Sequence, residues 1–189
     1  MDKTLGVEDK KLADSKKKDM SWKSFFFYLA LILIFRIYII EPHTVSGTSM
    51  DETFHTKDYV LVDKISYDFT QPARGDVIVF NPPVVEAKGD RFIKRIVGLP
   101  GDNVVVSQEG TFINGEKQIE KFVVHPSSRT ASVTLGTDEY FVMGDNRAVS
   151  YDSRSWGVLK KDAIQGRVVL RLYPFNQIDL MPGALENFK

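Results

Sequence analysis

The chain of 189 residues contains no cysteine. Disulfide bonds, thiol nucleophiles and cysteine-ligated zinc sites are therefore excluded. The chain also lacks a net charge, because 25 Lys and Arg residues balance 25 Asp and Glu residues. Without a basic excess, the composition gives no argument for a nucleic-acid partner, and none is expected. Histidine is scarce as well: His43, His55 and His125 show no metal-ligand spacing, so neither a metal nor another cofactor is expected.

One long apolar run is present, WKSFFFYLALILIFRIYII, at residues 22–40. A membrane-spanning helix needs about 20 mostly apolar residues. Lys23 and Arg36 lie near the ends of the run, where long cationic side chains reach the membrane interface. Trp22 and Tyr38 suit the two interfacial aromatic belts. The run thus predicts a transmembrane helix.

Three interpretations of this run compete. A buried core helix is disfavoured, because the run is apolar on all sides and follows a lysine-rich stretch without apolar periodicity. A cleaved signal peptide would use Val45 and Gly47 as the small residues of a cleavage site. A retained anchor is favoured, and the lysines before it place the N-terminus in the cytoplasm. The predicted organisation is a disordered cytoplasmic tail, an anchor and an extracytoplasmic domain at residues 1–21, 22–40 and 41–189.

The rest of the chain has the pattern of an all-β domain. Short runs rich in β-branched and aromatic residues are separated by turn sequences. These runs lie at residues 59–65, 76–80, 91–97, 103–106, 140–143 and 167–173. Asn114–Gly115 predicts a type I′ hairpin within an excursion near residues 107–135. Because no helical period separates the runs, we expect one domain of antiparallel sheets.

Two segments carry candidate nucleophile and base residues. TVSGTSMDE, residues 44–52, combines small hydroxyl residues with a glycine, as in a loop that a substrate approaches closely; Ser46 and Ser49 both remain candidates. In RFIKRIVGLPGD, residues 91–102, strand alternation places Lys94 on one face with Phe92 and Ile96. A lysine in apolar surroundings has its neutral form favoured and is a competent base. The alternative is a lysine that snorkels from a strand edge.

A third segment, GDNRAVSYDSRSWG, spans residues 144–157. Its Gly, Asp, Asn and Ser residues are typical of turns and of side-chain-to-backbone hydrogen bonds. It is either a solvated loop or a hydrogen-bonded network held on the core. In the second case we expect its acids and arginines to pair with one another: Asp145, Arg147, Asp152 and Arg154.

The order of these segments resembles the bacterial type I signal peptidases, or leader peptidases, which are membrane-bound Ser-Lys proteases of the S26 family. The resemblance runs from residue 22 to the end of the chain. It implies coiled antiparallel sheets with one N-terminal transmembrane helix. It also implies cleavage of N-terminal signal peptides from exported preproteins, at the outer surface of the bacterial cytoplasmic membrane. The implied topology is single-pass, with the catalytic domain outside.

The resemblance assigns roles to individual residues. Ser49 is the implied nucleophile and Lys94 its base, with Ser150 orienting the lysine amine. The Ser49 backbone N–H is the expected oxyanion donor. The second donor stays open, because Gly47 stands where some family members carry a hydroxyl. The residues implied to support the last loop are Asp152 and Arg154, with Asp145 and Arg147.

The implied substrate is an extended peptide with small residues at −1 and −3. Met50, Phe92 and Ile93 are implied to line its pockets. Glu52 stands where the family usually has a proline, so the turn after Ser49 forms without a preset φ. The lipid bilayer is a second implied partner, and the protein-export machinery is a further candidate.

Two other functions compete with this interpretation. A self-cleaving Ser-Lys protease domain, like that of the SOS repressors, is disfavoured by the anchor and by the absence of a DNA-binding module. A membrane-tethered β-domain that binds an exported partner without catalysis would make Ser49 and Lys94 incidental. The endoplasmic-reticulum enzymes of this type use histidine as the base, so Lys94 points to the bacterial kind.

Overall fold

In a computed structural model of the protein, the structure describes residues 21–87, 89–123, 126 and 128–183. Most of the predicted tail, residues 1–20, and His125 lie outside the described residues. The chain divides into two units, residues 1–36 and 37–189.

The apolar run forms helix α1, Trp22–Tyr38, of 17 residues. Its large side chains are exposed on all sides, in keeping with the absence of a polar face in the sequence. The helix ends where strand β1 begins at Ile40, and Pro42 within that strand is incompatible with a helix interior. A membrane-spanning helix was expected over residues 22–40. In the part of the chain that the structure describes, no helix has the length and hydropathy needed to cross a membrane.

The larger unit contains a curled antiparallel sheet that orders its strands β1-β2-β11-β3-β4-β9-β10, with β12 beside β11. The strand bounds are β1 Ile40–Thr44, β2 Tyr59–Asp63, β3 Val77–Phe80, β4 Phe92–Gly98, β9 Glu139–Met143, β10 Leu159–Lys160, β11 Ile164–Tyr173 and β12 Asp179–Leu180. Strands β3, β4 and β9 are almost fully buried, which explains the apolar runs of β3 and β9. β4 is buried as well, although Lys94 and Arg95 interrupt its apolar sequence.

A second antiparallel sheet has the order β7-β6-β5-β8. Its strands are β5 Asn103–Ser107, β6 Gly110–Ile113, β7 Glu116–Lys117 and β8 Ala131–Thr134. Asn114 and Gly115 both have positive φ, at 52° and 86°, as a type I′ turn requires. The predicted hairpin is therefore present, and the excursion near residues 107–135 supplies most of this sheet.

Short helices complete the unit: α2 Ser66–Phe69, α3 Ser153–Trp156 and 3₁₀ turns at Val85–Ala87, Lys161–Ala163 and Phe175–Gln177. Buried side chains form three hydrophobic clusters. One of them contains Val45, Met50 and Phe54 from the segment between β1 and β2, together with residues of β2, β3 and β4. The expectation of a mostly β, antiparallel domain is confirmed, and this cluster fixes the loop that carries Ser49.

Candidate active site

Ser49 lies in the loop between β1 and β2. The loop is closed by backbone bonds, in which the Val45 N–H donates to Asp58 O and the Lys57 N–H donates to Val45 O, both at 2.9 Å. Met50 is buried in the core directly after Ser49. Gly47, with φ of 90°, adopts a conformation that other residues reach only with strain. The apolar side chains of this loop thus face the core, while Ser49 is half-buried at a cleft.

Lys94 lies in the middle of β4, opposite Ile78 of β3. Its Nζ donates to Ser49 Oγ at 2.7 Å and to the Ile93 carbonyl at 2.8 Å. The same Nζ lies 5.4 Å from the centre of the Phe92 ring. The structure therefore brings together the serine and the lysine that the sequence analysis had singled out, across 45 positions of chain.

The surroundings of Lys94 favour its neutral form more than water does. Burial lowers the pKa of Lys94 from 10.5 to about 8, because the charged ammonium loses hydration. The carboxylates of Asp152 and Asp145 oppose this shift, while the guanidinium of Arg154 supports it. At neutral pH a useful fraction of the amine is consequently able to accept a proton.

The loop of residues 144–157, here called the polar loop, packs against Ser49. The Asn146 N–H donates to the Ser49 carbonyl at 3.1 Å. Gly144 lies between the two serines, since a Cβ at this position would be 2.3 Å from Ser49 O and 2.4 Å from Ser150 Oγ. Ser150 is fully buried there. Among the described residues, the bonds of Lys94 Nζ go to Ser49 and Ile93, and the predicted bond with Ser150 is not formed.

Within the described part of the chain, three buried ion pairs hold the polar loop, and one of them lies inside the loop. Asp152 pairs with Arg154 at 2.6 Å, caps α3 and accepts the Gly144 N–H. Burial opposes ionisation of Asp152, but the hydrogen bonds and charge of Arg154 lower the pKa of its carboxyl. Asp152 and Arg154 therefore pair within the loop, as the sequence predicted.

The other two charged residues of the loop pair outside it, contrary to expectation. Asp145 binds Arg95 of β4 through both carboxylate oxygens, at 2.8 and 2.6 Å, and both side chains are fully buried. Arg147 pairs with Glu120 at 2.7 Å. The sequence predicted neither Arg95 nor Glu120 as a partner. Arg95 lies 50 positions from Asp145 and Glu120 lies 27 positions from Arg147, and no sequence pattern connects residues so far apart.

A cleft of about 550 Å³ opens over Ser49 and Lys94. Phe92 and Ile93 line this cleft, whereas Met50, which was also expected to line the substrate pockets, is buried in the core. Further lining residues that sequence reasoning missed are His43, Thr44, Arg91, Val149 and Tyr151.

Both walls of the cleft offer strand edges. Among the described strands, β1 is terminal in its sheet and pairs only with β2. In β4, pairing with β9 begins at Arg95, so Phe92–Lys94 pair only with β3 within the described residues. Unpaired backbone groups on both sides suit an extended peptide that adds as a strand.

His43 is the one histidine at the cleft among the described residues. Burial and the nearby Arg91 lower its pKa, while Glu41 opposes them. None of its described hydrogen bonds joins it to Ser49 or Lys94. In the part of the chain that the structure describes, no three His, Asp or Glu side chains are placed to hold a metal ion.

A mostly β domain with a buried lysine hydrogen-bonded to a serine, at the base of an open cleft, has the features of a serine-lysine peptidase. Comparison with known proteins agrees. Residues 19–173 match the family described as signal peptidase, peptidase S26. The chain therefore belongs to the signal peptidase family, peptidase S26, as a serine endopeptidase of the signal peptidase I type.

Similar proteins carry the same description. A probable signal peptidase I-2 from Synechocystis sp. is 37% identical over 155 residues, covering 80% of this chain and 71% of the relative. Signal peptidase IB from Staphylococcus aureus is 31% identical over 170 residues, covering 79% and 87% of the two chains. A crystal structure of a signal peptidase I from Enterococcus faecalis is 31% identical, with a TM-score of 0.44, and covers 52% of this chain and 97% of that one.

Proposed function

We propose that this peptidase removes signal peptides from exported preproteins with Ser49 as nucleophile and Lys94 as general base. The observation that carries the proposal is the 2.7 Å hydrogen bond between Lys94 Nζ and Ser49 Oγ. The lowered pKa of Lys94, about 8, gives the amine the basicity that the role needs.

In the first half of the reaction, neutral Lys94 accepts the Ser49 proton as Oγ attacks the scissile carbonyl. The resulting tetrahedral oxyanion accepts a hydrogen bond from the Ser49 N–H, which none of the described hydrogen bonds uses. The lysine ammonium then gives its proton to the leaving amine, and the peptide bond breaks. The products of this half are the mature protein and a signal peptide esterified to Ser49.

In the second half, Lys94 takes a proton from water, and the hydroxide attacks the ester carbonyl. Collapse of the second tetrahedral species returns the proton to Ser49 Oγ and releases the signal peptide with a free carboxylate. The bond from Nζ to the Ile93 carbonyl holds the amine in place through both halves. Ser150 is proposed to assist, with its hydroxyl turned toward the amine in the substrate complex. A second oxyanion donor is proposed at Thr48 or Ser46, both on the cleft wall.

The proposed substrate is an extended peptide with small residues at −1 and −3. The open edges of β1 and β4 give its backbone hydrogen-bond partners. Phe92 and Ile93 line the cleft together with Ser49, and the proposal assigns them the pockets that admit small side chains. Met50 supports the floor of the cleft from the core. Asp145, Arg147, Asp152 and Arg154 keep the polar loop in place through their buried pairs.

The proposed location is the bacterial cytoplasmic membrane, with residues 22–40 as anchor, residues 1–21 inside and residues 41–189 outside. Its support is an exposed, apolar α1 and the cluster of lysines before it. An anchor confines enzyme and signal peptide to one surface, which raises their effective concentration. The export machinery would deliver the substrate to the same surface.

The test is cleavage of a model preprotein with alanine at −1 and −3, in detergent or liposomes, with sequencing of the new N-terminus. Ser49→Ala should abolish cleavage with little change in thermal stability, since the loop loses only a hydroxyl. Ser132→Ala is the matched control and should retain full activity, because Ser132 is an exposed serine of β8 that does not line the cleft. Normal turnover by Ser49→Ala would disprove the assignment of the nucleophile.

A further inference from the structure

Two residues from outside the polar loop hold its backbone, and neither belongs to the proposed catalytic pair. Both come from the chain between β7 and β8 of the second sheet. Arg129 donates from its guanidinium to the Ser150 carbonyl at 2.8 Å and to Ser155 Oγ at 3.3 Å. Glu120 binds Arg147, which donates from Nε to the Gly144 carbonyl at 3.0 Å. The loop is thus held at Gly144 and again at Ser150.

The Ser150 contact is close to the reacting groups. Val149 and Tyr151, on either side of Ser150, line the cleft over Ser49 and Lys94. Asp152, two positions further on, is one of the three charged groups that act on the Lys94 amine, with Asp145 and Arg154. The backbone that Arg129 holds therefore sets the position of a cleft wall and of a charge that acts on Lys94.

We propose that Arg129 is a positioning residue for the Ser49–Lys94 pair, acting through the Ser150 backbone. Its guanidinium holds Val149 and Tyr151 at the cleft wall and Ser150 buried between them, and so limits the access of water to the amine. Glu120 does the same at the start of the loop through Arg147. The inference rests on the proposed roles of Ser49 and Lys94.

Arg129 offers a clean test because the residue as a whole is exposed, so its removal leaves no buried cavity. Without the contact, the segment should move and admit water to Lys94, and a better hydrated amine has a higher pKa. Arg129→Ala should lower kcat by about ten- to a hundredfold, since a misplacement of reacting groups by about 1 Å can cost about a hundredfold. The rising limb of its pH profile of kcat/KM should move to higher pH. Arg129→Lys should restore part of both, since an ammonium donates to the same carbonyl.

Lys121→Ala is the matched control, since Lys121 is also exposed and cationic in the same segment. It should leave kcat and the pH limb unchanged. Glu120→Gln is a second variant, which keeps the size of the side chain and removes the charge that faces Arg147. It should shift the limb in the same direction as Arg129→Ala. All variants are assayed as full-length protein on the model preprotein, well below their melting temperatures.

The inference is overturned if Arg129→Ala keeps kcat within about twofold of the control and the same pH limb. It is equally overturned if the variant keeps the limb, whether or not it melts earlier, because a loss of kcat or of stability without a shifted limb would show a purely structural role. Failure of the proposed function would look different. In that case Ser49→Ala would stay active, or the wild-type limb would not depend on Lys94.

Discussion

At the scale of single residues, burial makes the charged form of Lys94 energetically unfavourable. An ammonium buried beside Phe92 and Ile93 is poorly hydrated, and the nearby Asp145 and Asp152 compensate only in part. The balance leaves a pKa of about 8 instead of 10.5. A general base must be neutral to accept a proton, so this lowered pKa is what makes a lysine useful near neutral pH.

Activity should therefore rise with pH. Below a pH of about 8 most Lys94 is protonated and unable to act, and above it the neutral amine predominates. The pH profile of kcat/KM should show one limb near that value. Lys94→Arg should be inactive throughout, since guanidinium keeps its proton in this range. Activity in Lys94→Arg would show that another residue, such as His43 at the cleft, is the base.

A matched pair of variants isolates the effect of charge on Lys94. The Phe92 ring lies 5.4 Å from Nζ, so Phe92→Asp places a carboxylate near the amine while Phe92→Asn places a neutral group of similar size there. The carboxylate stabilises the ammonium, and the limb of Phe92→Asp should lie at higher pH than that of Phe92→Asn. If the pH profiles of Phe92→Asp and Phe92→Asn rise at the same pH, the titrating group is not Lys94.

At the scale of elements, the polar loop and β4 depend on each other through Arg95 and Asp145. Both side chains are fully buried, and Arg95 also donates to the Gly75 carbonyl at 2.9 Å. Removing one partner from such a pair leaves an uncompensated buried charge. Arg95 directly follows Lys94 in β4. The Arg95–Asp145 pair consequently joins the strand that carries the base to the loop that carries Ser150.

Gly144 is the point where this loop touches Ser49, and its lack of a side chain is required. Gly144→Ala would place a methyl 2.3 Å from Ser49 O. Relief of that clash must move the Ser49 loop or the polar loop, at a cost of about 1–3 kcal/mol. Gly98→Ala is the matched control, because its methyl would clash with Val104 and Leu135, away from the site.

Thermal melts and turnover of the two glycine variants should diverge. Both should lose stability, but only Gly144→Ala should lose most of its kcat in the folded fraction. Equal turnover of the two variants would show that the contact between Gly144 and Ser49 does not control the position of the nucleophile.

Strand prediction succeeded where local chemistry and tertiary structure agree. The run at 59–65 becomes a strand that stops at Asp63, because its carboxylate accepts the Ile65 and Ser66 N–H groups and starts a turn. β11 begins at Ile164, three residues before the predicted run at 167–173. The added residues include Gly166, and a glycine inside a sequence run does not favour a strand. In the structure that glycine lets the Asp63 carbonyl approach, where a Cβ would lie 2.3 Å away.

At the scale of the whole molecule, the positive-inside rule makes a prediction that does not depend on the active site. A tag after Lys189 should be digested by protease added outside intact bacterial cells. A tag before Lys3 should be protected, because the lysine-rich end is expected in the cytoplasm. Lysed cells, in which both tags should be digested, are the control. The reverse accessibility would contradict the proposed membrane topology.

The sequence by itself determined the β runs, the hairpin at Asn114–Gly115 and the resemblance to the family, and that resemblance assigned the two residues of the proposed catalytic pair. These are local patterns, set by alternation, turn chemistry and short motifs. Only the tertiary structure decided that Met50 lies in the core, that Asp145 pairs with Arg95 and that Arg147 pairs with Glu120. Ion pairing in a buried site depends on which strands become neighbours, and a carboxylate binds the guanidinium that folding brings within reach.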